Sequence, residues 1–507
     1  MKKTLSLIMS VLFILTAVAL SSCSAEFNDN YSSGDQFAMY KRIHMYENDL
    51  YLIGDNVNSS GMDALVENDF TDTETSPIST FSADVDTASY CYFRKLINSG
   101  YNFQYVKNYA GKSLRTEEMI NYFNYDTVQP IEGELFGVKA EISDCLWNSS
   151  SKMLMLTLKA KETTAPAAGN NLVFLIDVSG SMQSDDKLEL LKKAFSYLVA
   201  NLTANDRVSI VTYAGREAVV LENCVGSRTE EIMAAINALE SGGSTNGEAG
   251  LKRAYEVAES CFIENGNNRI ILASDGDLNV GISSAEELKA FVTTKRESGV
   301  YLSVLGFGTG NYRDGNIEAI ADNGNGVYYY IDSETEAERI FGTELCATLY
   351  TVAKDVKLQI TFDPEIVKSY RLIGYENRIM PTEDFTDDTK DAGEVGSGHT
   401  VTVCYELKLN DTNTQSDEWL KLAVRWKEIN STESILREYD IGSSSCSVEP
   451  SGDFRFVSAV IETAMLIHSS KYSGTASLSG IKSLISELSL QDDLYKTEFL
   501  DLIGKLN

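Results

Sequence analysis

A loop at residues 177–182 places Asp177, Ser179 and Ser181 at alternate positions, directly after an apolar run. Their side chains offer one carboxylate and two hydroxyls, which are hard oxygen ligands suited to Mg²⁺, Mn²⁺ or Ca²⁺. Because the loop brings no general base beside a nucleophile, its spacing indicates cation binding rather than catalysis. The alternative is that these residues only form turns and caps in a metal-free fold, since Asp and Ser are favoured at helix N-termini.

Two further loops offer the same kind of oxygen ligand. Ser244 and Thr245 come just before a predicted helix, and Asp275 follows the apolar run Arg269–Ala273. Asp277 is interpreted either as a solvated residue or as one that contacts the metal ligands without binding the ion itself. The sequence therefore predicts a set of carboxylates and hydroxyls drawn from three loops.

The elements that must hold these loops alternate between strands and helices over residues 168–351. Apolar runs such as Leu172–Ile176 and Val300–Phe307 predict strands that are buried on both faces. Lys187–Leu202 predicts an amphipathic helix. This alternation predicts an α/β fold with a doubly wound, mostly parallel sheet, in which loops leave one edge together and can converge.

The loop pattern resembles the metal-ion-dependent adhesion site of the von Willebrand factor type A domain, a Rossmann-like fold. The resemblance implies that the serines and sometimes the threonine bind the ion, that the aspartates act through water, and that one coordination position accepts a carboxylate of a partner protein. Mg²⁺ is the first choice of ion, with Mn²⁺ or Ca²⁺ as alternatives. Ser244 lengthens the usual Gly-Gly-Thr and remains an alternative to Thr245. The resemblance assigns to the site Asp177, Ser179, Ser181, Thr245 and Asp275.

The N-terminus has the features of an export signal. Lys2 and Lys3 precede the apolar run Leu5–Leu20, which is too short to span a membrane comfortably. Small residues then precede Cys23, an arrangement that resembles a bacterial lipobox, with an ordinary signal peptide as the alternative. The sequence predicts export to the bacterial cell envelope and a membrane anchor through lipid on Cys23.

Composition narrows the range of partners. The chain of 507 residues has 74 acidic and 43 basic residues, a formal net charge of −31. So negative a surface disfavours nucleic acid as a partner.

The eight cysteines include no CxxC pair, so a closed disulfide framework is not implied. The three histidines lie far apart in sequence, which disfavours a His-rich zinc site.

The flanks of the α/β segment contain further strand-like runs. Gly137–Ile142 and Met153–Ala160 precede it, and several runs follow it. If these strands pair with one another, the α/β domain is inserted into a β-sandwich. The predicted organisation is a signal peptide at 1–22, a lipidated tether at 23–75, an N-terminal flank of helices and strands at 76–165, a type A domain at 168–351, a β-rich domain at 352–450 and a C-terminal helical region at 451–507.

Long motifs at residues 77–90, 115–123 and 370–378 resemble the flanks of bacterial von Willebrand type A lipoproteins of the envelope. The sequence therefore predicts a non-enzymatic adhesion or scaffold protein that binds an unidentified protein ligand through the divalent cation. The alternative is an accessory type A subunit of an enzyme or ATPase assembly, against which the exported N-terminus argues.

Overall fold

A computed structural model describes most of the chain from residue 66 onward. The predicted signal peptide, Cys23 and most of the predicted tether lie outside the described residues. Within the described part, no helix is both long and apolar enough to cross a membrane. The described ranges are 66–83, 86–111, 113–163, 168–244, 246–276, 285–308, 320–321, 323–410, 416–429, 431–490 and 493–506.

The chain upstream of the α/β domain folds into short strands and helices. The strands are Thr71–Asp72 (β1), Ile78–Ser82 (β2), Phe136–Asp144 (β3) and Lys152–Ala160 (β4), and the helices are Ala88–Asn98 (α1), Phe103–Tyr109 (α2) and Thr116–Asn121 (α3).

The α/β domain follows, with strands and helices in alternation. Its strands are Asn170–Asp177 (β5), Arg207–Tyr213 (β6), Glu217–Val225 (β7), Asn267–Ser274 (β8), Val300–Phe307 (β9) and Tyr328–Ile331 (β10). Its helices are Leu190–Ala200 (α4), Thr229–Asn237 (α5), Gly247–Ser260 (α6), Ala285–Arg296 (α7), Glu334–Glu338 (α8) and Leu345–Leu349 (α9).

These strands form one sheet in the order β10-β9-β8-β5-β6-β7. All neighbours are parallel except β6 and β7, which pair antiparallel at the edge. Alternate side chains of β5 enter two different cores: Phe174 joins the core with α4 and α5, and Val173 joins the core with α6 and α7. Helices therefore cover both faces, which confirms the predicted doubly wound α/β sheet.

Two predicted helices are interrupted by π-helical turns. The helix expected over Lys187–Leu202 begins with a π-turn at Asp185–Glu189 and becomes α-helical only at Leu190. The sequence also predicts a helix over Glu336–Tyr350, and the structure divides it into α8, a π-turn at Arg339–Thr343, and α9. A π-turn widens the helix by one residue and turns the following side chains to new directions, which apolar periodicity alone does not reveal.

The chain downstream supplies the remaining strands and three long helices. The strands are Thr351–Phe362 (β11), Val367–Ile373 (β12), Gly393–Gly396 (β13), Thr400–Leu409 (β14), Leu420–Lys427 (β15) and Ser434–Ile441 (β16), and the helices are Gly452–His468 (α10), Leu478–Ser486 (α11) and Leu494–Lys505 (α12).

Upstream and downstream strands pair with one another, as the insertion hypothesis predicts. One sheet has the order β1-β12-β14-β4-β3, and in the other β2 pairs with β11 of the β13-β11-β15-β16 path. The rings of Phe136 and Trp426, one from each sheet, lie 5.4 Å apart, and those of Phe362 and Tyr405 lie 5.5 Å apart. The two sheets therefore pack face to face as a β-sandwich that contains the α/β domain as an insertion.

The start of the described chain corrects one part of the tether prediction. Residues 66–75 were expected in a free spacer, but Thr71–Asp72 pairs antiparallel with Ser369–Tyr370. Thr73 is fully buried, and its hydroxyl donates to the carbonyl of Val367. The backbone of this segment finds its hydrogen-bond partners in the sheet, so this segment belongs to the folded part of the chain.

The C-terminal helices cover the outer face of the first sheet. Phe456 of α10 shares a core with Met155 of β4 and Cys404 of β14. Each helix begins at a residue whose side chain accepts a backbone hydrogen bond, which satisfies otherwise unpaired N–H groups of the first turn. These N-cap residues are Ser451, Ser477 and Asp493.

Candidate functional site

The two central parallel strands end at the same edge of the α/β sheet. In the register of β5 and β8, Ile176 lies opposite Ala273, so the loops that follow start side by side. Asp177, Ser179 and Asp275 are 0%, 1% and 3% exposed, respectively. The structure thus brings together the first and third loops predicted from the sequence.

Asp177 organises its own loop. Its Oδ1 accepts a hydrogen bond of 2.8 Å from the backbone N–H of Ser179, and the hydroxyl of Ser274 lies 3.4 Å from its Oδ2. Burial raises the pKa of Asp177, and the neighbouring carboxylate of Asp275 adds to the rise. A raised pKa means that the negative charge is costly here, and a bound cation would relieve that cost.

The two serines present an oxygen pair at the separation that an octahedral ion requires. Their Oγ atoms form a hydrogen bond of 2.9 Å with each other, and Ser181 is exposed while Ser179 is buried. Bonds of about 2.1 Å to Mg²⁺ place adjacent octahedral ligands about 3 Å apart. Oδ1 of Asp275 is buried and receives no hydrogen bond from any described residue. These hard oxygens fit a divalent cation at the exposed end of the loop.

Backbone hydrogen bonds bring the second loop to the first. Gly242 donates to the carbonyl of Val178 at 2.7 Å, and Gly180 donates to the carbonyl of Gly243 at 3.1 Å. Gly243 has a φ of +88°, a conformation that favours glycine.

The choice between the two hydroxyl residues of this loop stays a prediction. Ser244 is exposed, and its Oγ lies beside Gly215. Thr245 and Asp277 lie outside the described residues.

Lys187 is a residue of the site that the sequence analysis assigned only to a helix. Its Nζ donates to Oδ2 of Asp275 at 2.8 Å and to the carbonyl of Ser181 at 2.9 Å. It sits on the π-turn that precedes α4. The only signal in the sequence is a lysine shortly after the serine loop, since the contact with Asp275 spans 88 residues.

Two other groups of acidic side chains are held by basic residues of this chain. Glu336 lies 2.8 Å from the guanidinium of Arg94, in a group that also includes Asp332 and Cys91. A second group contains Asp355, which pairs with Lys427 at 2.7 Å. Ion pairs hold most of these carboxylates, including Asp391, which lies 2.8 Å from Arg296, so we assign both groups to structure rather than to a metal site.

Family models match three consecutive parts of the chain. A von Willebrand factor model matches residues 56–155, the von Willebrand factor type A domain matches residues 171–343, and the C-terminal part of the uncharacterized protein YfbK matches residues 347–507. The middle match covers the strands and loops that carry the candidate site.

Whole-chain comparison extends these matches. The inter-alpha-trypsin inhibitor heavy chain H3 of Homo sapiens is 28% identical over 182 residues, which cover 34% of this chain and 20% of that protein. A solved structure, the von Willebrand factor type A protein from Catenulispora acidiphila, is 14% identical with a TM-score of 0.40, over 72% of this chain and 88% of that one. The uncharacterized protein YfbK of Escherichia coli (strain K12) is 38% identical over 455 residues, which cover 84% of this chain and 77% of the relative. The chain therefore belongs to the YfbK family of bacterial von Willebrand factor type A proteins.

Proposed function

We propose that the protein binds a partner protein through a divalent cation held at the edge of the α/β sheet. The observation that carries this proposal is the oxygen pair of Ser179 and Ser181, 2.9 Å apart, in a loop that Lys187 links to Asp275, whose buried Oδ1 lacks a donor among the described residues. A von Willebrand factor type A domain also suggests a role in protein interaction.

The chemistry of these ligands favours a carboxylate on the partner. Hydroxyl ligands are neutral, so an ion held by them keeps much of its positive charge for an incoming Asp or Glu. Ser181 is exposed, which leaves the ion reachable from solvent. We therefore propose that the cation bridges this chain and an acidic side chain of the partner, with Mg²⁺ as the first choice of ion.

The proposal places the protein in the bacterial envelope as an adhesion or scaffold protein. Its support is the N-terminal sequence, in which an apolar run precedes Cys23. Lipid on Cys23 would hold the chain at the membrane, and the folded part would present the sheet edge to a partner.

Calorimetric titration of Mg²⁺ and Mn²⁺ into the full-length protein tests the metal site. We expect binding by the wild type and its loss in the Ser179→Ala/Ser181→Ala variant, because removing two direct ligands leaves too few protein oxygens. Ser196→Ala, which removes a hydroxyl on α4 whose hydrogen bond goes to the Lys193 carbonyl, serves as the control and should bind normally.

The titration is repeated with excess acetate, which stands in for the carboxylate of the partner. Equal metal binding by the wild type and the double serine variant would place the ion elsewhere and contradict the proposal. Absence of binding by the wild type, with and without acetate, would contradict it as well. A positive result justifies a pull-down of acidic partner proteins in which EDTA abolishes capture.

A further inference from the structure

The strongest unexplained feature of the site is a positive charge placed among its ligands. The ammonium of Lys187 lies 2.8 Å from Oδ2 of Asp275 and 2.9 Å from the carbonyl oxygen of Ser181. The Lys187 side chain is 20% exposed and Asp275 is 3% exposed, so solvent screens this ion pair only in part. A lysine at this position adds one positive charge to the site and so makes the site less negative for an incoming metal ion.

The local structure holds Lys187 in this place. Its π-turn follows the serine loop, and the preceding residue, Asp186, is already paired with Lys95 at 2.9 Å. On the other side, the stem of Lys187 lies against Gly308, where an added Cβ would come within 2.4 Å of its Cε. These contacts therefore hold the Lys187 ammonium in a fixed position, unlike a lysine that is free to move on the surface.

Among the described residues, the charged groups of this site are Asp177, Asp275 and Lys187, since the neighbouring Asp186 is paired with Lys95. Two carboxylates and one ammonium together carry one net negative charge. A bound dication would turn this into one net positive charge. A carboxylate from outside would then bring the site to neutrality. Without the lysine, the dication alone would already balance the two aspartates.

We propose that Lys187 makes metal binding and carboxylate binding depend on each other. The ammonium weakens the hold of the site on a bare divalent cation and leaves the loaded site with a positive charge that only an acidic ligand neutralises. Lys187 thus acts as a positioning and charge-setting residue and does not itself bind the metal. This inference rests on the proposed metal site and adds the reason that an acidic partner would be required.

The physical basis is the strength of charge interactions in a partly buried site. An adjacent like charge disfavours a second positive charge, and partial burial strengthens this effect because water screens the two charges less than it would at the open surface. The same ammonium also occupies Oδ2 of Asp275, which leaves its buried Oδ1 as the oxygen that can face the ion or a water on it.

Mn²⁺ titration of the full-length protein, with and without excess acetate, tests the inference. Lys187→Met removes the charge and keeps the stem, while Lys187→Arg keeps the charge. Lys192→Met is the matched control, because Lys192 lies on α4 and pairs with Glu189, the last residue of the π-turn, rather than with a residue of the site. In the absence of acetate, we expect Mn²⁺ to bind Lys187→Met about tenfold more tightly than the wild type.

Acetate should tighten Mn²⁺ binding to the wild type, Lys187→Arg and Lys192→Met, and should leave Lys187→Met nearly unchanged. Equal Mn²⁺ affinity of the wild type and Lys187→Met, or weaker binding by Lys187→Met, would overturn the inference and leave the metal site in place. Absence of Mn²⁺ binding by all four proteins, even with acetate, would instead refute the metal site itself.

Discussion

Buried carboxylates in this protein differ in what surrounds them. Burial alone would raise the pKa of Glu336, but the charges of Arg339 and Arg94 lower it to about 2. Glu462 is 6% exposed on α10, and burial raises its pKa to about 7. The first carboxylate is stabilised as an anion by its neighbours, whereas the second is held near its point of protonation.

Glu462→Gln should stabilise the protein at alkaline pH. The folded chain keeps the proton of Glu462 up to a pKa of about 7, whereas the unfolded chain releases it near a pKa of about 4.3. The wild type therefore loses stability as pH rises through this window. We expect the urea midpoints to coincide near pH 4 and the variant to gain up to about 3 kcal/mol near pH 8.

The control for this experiment is Glu487→Gln, at an exposed position at the end of α11. Its unfolding midpoint should follow the wild type at every pH. A constant difference between Glu462→Gln and the wild type, from acid to alkaline pH, would show that Glu462 does not titrate in this window.

Residues of the candidate site could be predicted from sequence only where their neighbours in the chain reveal them. Asp177, Ser179 and Ser181 stand together after a buried strand, so their spacing is visible in the printed sequence. Lys187 meets Asp275 across 88 residues, and only the fold brings these two together. A lysine on a predicted helix gives no sign of which carboxylate it will contact.

At the scale of elements, apolar patterns predicted the strands that are buried. The sequence pattern predicts strands at Arg207–Tyr213 and Val300–Phe307, and both strands begin and end at those residues. Ser434–Ile441 escaped prediction because it is an edge strand with exposed polar residues, and Gly393–Gly396 is too short to show a period. The apolar pattern therefore identifies strands that are buried and misses strands that are exposed.

Gly308→Ala tests whether Gly308, the residue directly after β9, allows Lys187 to reach Asp275. Gly308 has a φ of +82°, and its added Cβ would lie 2.4 Å from Cε of Lys187. We expect about 1 kcal/mol of lost stability from the backbone conformation. We also expect tighter Mn²⁺ binding in the absence of acetate, because the ammonium is displaced from Asp275.

Gly299→Ala is the matched control for that prediction. Gly299 has a φ of +85° and precedes β9, but its added Cβ would contact only Phe262 within 4 Å. It should lose similar stability in urea denaturation and keep the Mn²⁺ affinity of the wild type. Unchanged Mn²⁺ affinity in Gly308→Ala would indicate that Lys187 stays beside Asp275 without the glycine.

At the scale of the whole molecule, the sandwich cannot be divided along the sequence. β4 lies between β14 and β3, so a strand from before the α/β domain fills the interior of a sheet that also uses strands from after it. The presence of strand-like runs both before and after the α/β segment predicts that the upstream and downstream strands pair with one another. The register, with Val403 opposite Leu156, depends on side-chain packing that the sequence pattern does not specify.

Residues 347–507 should therefore fail to fold alone, although they match a family model. Without β4, the edge of β14 and its apolar face lose their partner, which favours aggregation. Co-expression with residues 66–346 should yield a soluble complex, whereas residues 168–346, which lack β1 to β4, should not rescue it. Cooperative unfolding of residues 347–507 alone, followed by circular dichroism, would disprove this dependence.

The insertion also determines how the protein bears mechanical load. The chain enters the α/β domain from β4 and leaves it into β11, and these two strands belong to different sheets of the sandwich. If a partner binds at the sheet edge as proposed, a pull on it would be divided between two covalent connections, each continued by a strand flanked on both sides. Neither of these two strands is an edge strand, so neither can be peeled away without breaking hydrogen bonds on both of its sides. The fold resists tension as a double attachment, and the domain cannot swivel about a single linker.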